Sequence, residues 1–215
     1  MDFDPSNRIV QLCAEGMNAE FEGRLEASEK LFKQAWESAS DNFEAFIAAH
    51  YIARRQNSLT DKLTWNLESF ELAKKVEGDA MQKYFPSLCL NVGKSYEDLG
   101  QNQEAIQYYQ LGADYADALS TNPYGNMIKS GITEGLKRMN ALENQNPVLD
   151  SLIDKWCERK ELKPLSFILP AYVSNAGTPL DKGKIISALS YLSAAKCLNE
   201  EDQKILEELI ISFQH

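Results

Sequence analysis

The sequence predicts an all-α chain, and three observations support this fold class. Strand signals are nearly absent. Apolar residues recur every three or four positions, the period of an amphipathic helix, as between Asn102 and Leu119. Helix-breaking residues stand at helix-length intervals, and several apolar runs follow an Asn or Asp whose side chain can satisfy free backbone amides. The pattern predicts roughly eleven helices of about 10–20 residues each.

The composition fits a globular chain: 44% of the 215 residues are hydrophobic, 25% are charged and the mean hydropathy is -0.40. The formal net charge is -10, which argues against a protein whose main task is to grip nucleic acid or an anionic membrane, since both need concentrated Lys and Arg. No run of 18 apolar residues occurs, and Met1–Pro5 has neither a basic nor an apolar leader region. We therefore expect a cytoplasmic protein that does not span a membrane.

Related residues recur at a nearly constant spacing in the first half of the chain. Gly16 and His50 are 34 residues apart, while Phe32, Phe70 and Tyr109 follow one another at intervals of 38 and 39 residues. Self-similarity at such a period indicates an architecture of stacked repeats.

These units resemble the tetratricopeptide repeat (TPR), a helix-turn-helix unit of about 34 residues. Three units cover about residues 8–118, and the third matches best, with the pattern residues Val92, Gly93, Tyr96, Gly100, Ala105 and Tyr109. The first matches at Gly16, Gly23, Phe32 and Ala35. The second departs from the pattern, because His50 replaces the glycine and the connection is stretched through residues 56–60.

The third unit also makes physical sense. Gly93 and Ala105 are small where two helices of one unit must cross closely. We expect Tyr96 and Tyr109 to fill the gap between neighbouring units, and Gly100 to end a helix with a positive φ.

The resemblance implies a TPR-like antiparallel helix-pair solenoid with a capping helix and a C-terminal helical extension. A stacked array must cover the apolar face of its last unit, so we expect a capping helix that begins at Asn122-Pro123. We expect residues 1–142 to form three helix pairs plus this cap, and residues 147–215 to be all-α. The extension is either a small separate bundle or a continuation of the solenoid, and we favour the continuation. Its helices are expected at about 147–160, 164–174, 181–196 and 200–213.

In TPR arrays the first helix of each unit lines a concave groove, and the resemblance implies that this groove binds an extended or helical peptide of a partner protein. The corresponding positions here are Cys13, Met17, Glu20, Phe21, Ile47, Tyr51, Arg54, Arg55, Leu90, Asn91, Lys94 and Asp98. The candidate partner-binding residues among them are Tyr51, Arg54, Arg55, Asn91 and Lys94.

The basic candidates suggest the kind of partner. Residues 1–146 carry 14 basic and 22 acidic side chains, so a basic cluster in one groove would be a local exception suited to an acidic segment. We predict that Arg54, Arg55 and Lys94 face one groove. The alternative is that Arg54 and Arg55 only complement the dipole at a helix C-terminus.

No catalytic, metal or cofactor site is predicted. The sequence has no Cys-x-x-Cys, Gly-x-Gly, Gly-x-Ser-x-Gly or His-Glu-x-x-His motif. We expect four reduced, mostly buried thiols at Cys13, Cys89, Cys157 and Cys197. His50 is expected to be a packing histidine, and His215 to be frayed. We place Trp65-Asn66 between the two helices of the second unit, with Trp65 either in an inter-unit gap or on the groove rim.

A looser resemblance links Ala49–Gln56 and Leu165–Tyr172 to uncharacterised bacterial TPR proteins, some of which carry an rRNA adenine methyltransferase label. We do not adopt that label, because a methyltransferase needs a βα nucleotide-binding core.

The favoured function is a protein-binding scaffold. The alternatives are a regulatory sensor responsive to a peptide or small molecule, a structural homo-oligomer and an enzyme of unrecognised type.

Overall fold

The computed structural model describes residues 4–78, 81–120, 122–142 and 145–214. Within these ranges the regular structure consists of eleven α-helices and short 3-10 segments at Met81 and at Ala116–Ala118, which confirms the all-α prediction. Met1–Phe3, Asp79 and His215 lie outside the described residues. By its internal contacts the chain divides into two compact units, Met1–Ser120 and Thr121–His215.

The first unit contains six helices that pack as three antiparallel pairs. Their bounds are α1 Arg8–Phe21, α2 Leu25–Ser38, α3 Asn42–Arg54, α4 Leu59–Lys74, α5 Phe85–Asp98 and α6 Asn102–Asp114. Between pairs, α2 packs on α3, α4 packs on α5, and α1 also packs on α3. The three helix pairs are therefore stacked in chain order, as expected for a repeat array.

Side-chain caps determine where several of these helices begin. The carboxamide oxygen of Asn7 accepts from the backbone N–H groups of Ile9 and Val10, and Asp41 accepts from that of Glu44. Each cap satisfies amides that have no partner inside the helix. The predicted link between Asn or Asp and a helix start is confirmed here.

In the first pair and in the third pair, an aromatic ring from the second helix packs against a glycine of the first helix. A Cβ built on Gly16 would lie 2.3 Å from Cε1 of Phe32, and one built on Gly93 would lie 2.8 Å from Cδ1 of Tyr109. Both rings are fully buried. The helices therefore approach closely only because the glycines have no side chain. Gly100 follows the C-cap of α5 with φ +73°, so it ends a helix as expected.

The tyrosines predicted to fill the gap between units have a different role. Tyr109 lies on Gly93 inside its own pair, and Tyr96 stacks on Tyr108 of the same pair with ring centroids 5.5 Å apart. Phe70 of α4 bridges the second and third pairs, with its ring 5.5 Å from that of Tyr108 and 5.8 Å from that of Phe85. The expectation was wrong because the small glycine leaves a cleft within the pair, which the ring of Tyr109 fills.

The second pair differs from the sequence prediction in its connection. Ser58 caps α4 by accepting from the backbone N–H of Asp61, so the connection is only residues 55–58. Trp65 and Asn66 lie inside α4 rather than between the two helices. Asn66 is buried and donates to Ser95 of α5 at 2.9 Å. The polar stretch was misleading because Ser58 starts a helix rather than extending a loop.

The second unit contains α7 Pro123–Arg138, α8 Pro147–Glu158, α9 Leu162–Val173, α10 Pro179–Ala194 and α11 Glu200–Gln214. Helices α8 to α11 pack successively, and α11 also contacts α8. Their core contains Leu149, Leu152, Trp156, Ile168, Ile185, Leu189, Leu206 and Leu209. The four predicted C-terminal helices and the Asn122-capped α7 are all present.

A buried carboxylate ties α8 to α11. Asp202 is 1% exposed and accepts from Nε1 of Trp156 at 3.0 Å and from Nδ2 of Asn199 at 3.1 Å. The guanidinium of Arg159 also pairs with the carboxylate of Asp202. A buried charge needs such partners, so this network fixes the two helices to each other.

The contacts group α7 with the C-terminal helices. Thr133 donates from Oγ1 to the backbone carbonyl of Asn175 at 3.0 Å, and Nζ of Lys137 lies 6.0 Å from the ring centroid of Tyr172. The division therefore falls after Ser120, whereas the sequence predicted α7 as part of an array that ends at residue 142. How the chain divides into folding domains stays a prediction.

Candidate functional site

The candidate site lies at the C-terminal ends of α1 and α3, which pack side by side. Phe21 is the last residue of α1 and is 94% exposed, and Met17, one turn earlier on the same face, is 40% exposed. Burying one phenylalanine side chain is worth about 1.5–3 kcal/mol. These two side chains therefore form an apolar surface that a partner can cover.

Two arginines from α3 meet a carboxylate from α1. Nη2 of Arg54 lies 3.3 Å from Oε2 of Glu20, and Nη1 of Arg55 lies 3.9 Å from Oε1 of the same residue. Glu20 and Arg54 are 34 residues apart, one repeat period, so stacking of the first two pairs brings them together. Neither arginine is a free cation, although the three groups together retain one positive charge.

The position of the arginines also fits the alternative that the sequence offered. Arg54 is the last residue of α3 and Arg55 is its C-cap, where a cation complements the helix dipole. Arg55 has a buried Nε atom that meets no hydrogen-bond acceptor among the described residues. The guanidinium of Arg55 thus keeps one donor that the described protein does not satisfy.

Tyr51 serves partly as a packing residue. It is half-buried, and its ring stacks on that of Phe32 with centroids 5.3 Å apart and an interplanar angle of 23°. This contact joins α3 to α2 across the first and second pairs. A partner that binds beside Arg54 would meet only the exposed part of Tyr51.

His50 is half-buried beside these residues, which agrees with the expected packing role. Burial and, to a smaller extent, the nearby charge of Arg54 together lower the pKa of His50 from 6.5 to about 4. The Nδ1 atom is buried and makes no hydrogen bond within the part of the chain that is described. The ring is therefore neutral near pH 7, and it lies edge-on to that of Tyr51 with centroids 5.2 Å apart.

The candidates from the third unit are engaged within their own helix. The ammonium of Lys94 pairs with the carboxylate of Asp98 and lies 3.9 Å from Oε2 of Glu97. Asn91 is half-buried, and its backbone carbonyl accepts from the hydroxyl of Ser95 at 2.9 Å. Lys94 is therefore not a free cation, and its sharing a groove with Arg54 and Arg55 stays a prediction.

Trp65 packs inside the array. Its ring meets that of Trp36 edge-on, with centroids 5.0 Å apart, and the residue is half-buried. This contact joins α2 to α4 and fits the packing interpretation rather than a role at the rim of the groove.

The cysteines are all free thiols, but they are not equally buried. Burial raises the pKa of the Cys13 and Cys89 thiols to about 12, which makes both unreactive at neutral pH. Cys157 is exposed and Cys197 is intermediate, so the expectation of mostly buried thiols holds for only two of the four. Among the described residues no three His, Cys, Asp or Glu side chains are placed to hold a metal ion.

Sequence reasoning missed how far the basic candidates are neutralised inside the protein. The period of 34 residues could have revealed the Glu20–Arg54 pair, because equivalent positions of adjacent repeats lie side by side.

Within the described part of the chain, no helix has the length and apolarity that membrane crossing requires.

No protein-family model and no curated protein matches the sequence. Among solved structures, the chain is similar to the nearly identical TPR-like repeats of a predicted kinesin light chain from Podosopora anserina. The TM-score is 0.52 and the identity 12%, over 99% of this chain and 97% of that chain. The match confirms the predicted TPR-like fold, and at this identity it shows the fold alone.

Proposed function

We propose that this protein is a non-enzymatic scaffold that binds a segment of a partner protein along the first helices of its array, at Tyr51, Arg54, Arg55, Asn91 and Lys94. The observation that carries the proposal is the nearly complete exposure of Phe21 beside the Glu20–Arg54–Arg55 cluster. Aromatic residues and arginine are enriched in the cores of protein–protein interfaces.

The charge of the cluster suggests the chemistry of the partner. Two guanidinium groups share one carboxylate, so a second carboxylate can join them or replace Glu20. We therefore propose a partner segment that carries an acidic residue close to a large apolar side chain. The cytoplasm stays the predicted location.

Affinity capture with paired variants tests the proposal. Arg54→Glu and Arg55→Glu should each lose a specific partner that the wild-type protein retains, and Phe21→Ser should lose the same one. Glu20→Gln should retain it more strongly, because the internal carboxylate no longer competes. Lys33→Glu is the matched control, since Lys33 is an exposed residue of α2 whose ion pair, among the described residues, runs along its own helix to Glu29. Loss of the partner in the control as well would contradict the proposed site.

A further inference from the structure

The second unit carries an open groove between α9 and α10, apart from the candidate site of the first unit. The groove has a volume of about 570 Å³, and Phe167, Gly183 and Ser187 contribute to its lining. Leu180 and Tyr191, also lining residues, are 52% and 69% exposed. Two large apolar side chains of one groove are thus left in contact with solvent.

Gly183 is an unexplained residue at the centre of this groove. It lies within α10, its φ is outside the left-handed region, and a Cβ built on it would meet no atom within 4 Å. A glycine inside a helix costs about 0.5–1 kcal/mol relative to alanine. No contact within the described chain requires a glycine at this position and so accounts for the lost stability. A glycine on an open helix face does allow the backbone of another helix to approach closely.

The charge of this helix hairpin is opposite to that of the whole chain. Residues 162–194 contain three lysines and a single carboxylate, Asp181, in a protein of net charge -10. Asp181 is buried and accepts from the backbone N–H of Ala176, from Oγ1 of Thr178 and from Nζ of Lys184. The exposed surface of the hairpin therefore presents cations and no described carboxylate.

The cations stand at the two ends of the groove. Lys184 lines it near Leu180, and Lys163 lies one turn before Phe167 on the same face of α9. Because α9 and α10 are joined by a short connection and run antiparallel, Lys163 is at the Tyr191 end. Lys163 is exposed and makes no ion pair with any residue that the structure describes.

We propose that the α9–α10 groove binds an acidic amphipathic helix of a partner protein. Leu180 and Tyr191 are eleven positions apart in α10, which corresponds to about 16 Å, or about three turns of such a helix. Its apolar stripe would cover Leu180, Phe167 and Tyr191, and its backbone would approach Gly183. A carboxylate at one end would meet Lys163, and one at the other end would share Lys184 with Asp181. This groove belongs to the second unit, and the inference does not rest on the proposed function.

Fluorescence anisotropy with a designed peptide tests this inference on the full chain. The probe is a labelled helical peptide of about 16 residues with Leu and Ala on one face and Glu at both ends, and the control peptide has Lys in place of each Glu. The acidic peptide should bind and the basic one should not, and added salt should weaken the binding. Absence of binding by the acidic peptide, or equal binding of both, would overturn the proposal.

Two variants test the groove without threatening the fold. Gly183→Leu places a side chain in the open space and removes a helix-weakening glycine, so its melting temperature should match or exceed that of wild type while the affinity falls about tenfold or more. Lys163→Glu should weaken binding similarly, and a carboxylate in the first turn of α9 suits the helix dipole. Lys182→Glu is the control of equal charge change, because Lys182 does not line the groove. Unchanged affinity in Gly183→Leu would overturn the assignment.

The same variants distinguish two other possible occupants of the α9–α10 groove. If light scattering shows that the wild-type protein self-associates and that the Gly183→Leu variant is monomeric, that result would mean that a second copy of the chain covers the groove. Binding to vesicles of anionic phospholipid that both Gly183→Leu and Lys163→Glu abolish would identify a membrane surface instead. Either result would overturn the protein-helix proposal.

Discussion

Single glycines set the distance between helices in this protein, and their roles can be separated by substitution. Gly16→Ala should reduce the free energy of unfolding by about 1–3 kcal/mol, because the new methyl group would overlap the fully buried ring of Phe32. Gly183→Ala should instead raise it by about 0.5–1 kcal/mol, since its Cβ enters open space in a helix. Urea unfolding measures both. A Gly16→Ala protein as stable as wild type would contradict the close contact seen here.

The lowered pKa of His50 predicts a specific pH dependence of stability. Its pKa is about 4 in the folded protein and about 6.5 when unfolded, so between these values the unfolded chain binds more protons. Stability should therefore fall as the pH drops from about 6.5 to 4, by up to about 3 kcal/mol from this residue. His50→Gln should lose less stability than wild type over that window in urea titrations. Parallel losses in the two proteins would show that His50 does not contribute, because the carboxylates titrate in both.

At the scale of elements, the junction of α8 and α11 depends on a single buried carboxylate. Asp202→Asn should lower the free energy of unfolding by about 1–3 kcal/mol, because Arg159 loses its charged partner and the amide presents donors where an acceptor is needed. Glu201→Gln is the neighbouring control. Glu201 is 78% exposed and lies 3.8 Å from Lys155, so its loss should change stability by less than about 0.5 kcal/mol. Equal effects in urea unfolding would contradict a special role for Asp202.

The helices were predictable from sequence because their signals are local. Apolar periodicity and Asn or Asp caps identified them, and the small residues at Gly16 and Gly93 indicated where pairs cross. The partners of the aromatic residues were not predictable in the same way. Whether Tyr109 turns toward its own pair or the next depends on space left by residues distant in sequence, and the neutralisation of Arg54 and Arg55 by Glu20 depends on stacking.

The second pair shows, within a single helix, the same limit of predicting side-chain partners from the sequence. Ser58 caps α4 and makes it longer than α2, so Asn66 occupies the position that Phe32 holds in the first pair, counted from the helix start. The aromatic Phe70, aligned with Phe32 by sequence, then faces the third pair.

At the scale of the whole molecule, the contacts predict where the chain can be divided. Residues 1–120 expressed alone should give a helical circular dichroism spectrum and a cooperative thermal transition, because this unit has its own core. If α7 is instead the cap that the sequence analysis expected, residues 1–120 should be poorly folded and residues 1–142 well folded. Comparison of the two fragments decides between these boundaries.

The contacts of the three tryptophans have a practical consequence for such measurements. Trp36 and Trp65 meet edge-on inside the first unit, whereas Trp156 is fully buried in the second, where its indole N–H donates to Asp202. Their emission spectra should therefore differ, with Trp156 shifted to the blue by its dry surroundings. Intrinsic fluorescence of Trp156→Phe and of the Trp36→Phe/Trp65→Phe double variant would then follow the melting of one unit at a time, with no external dye.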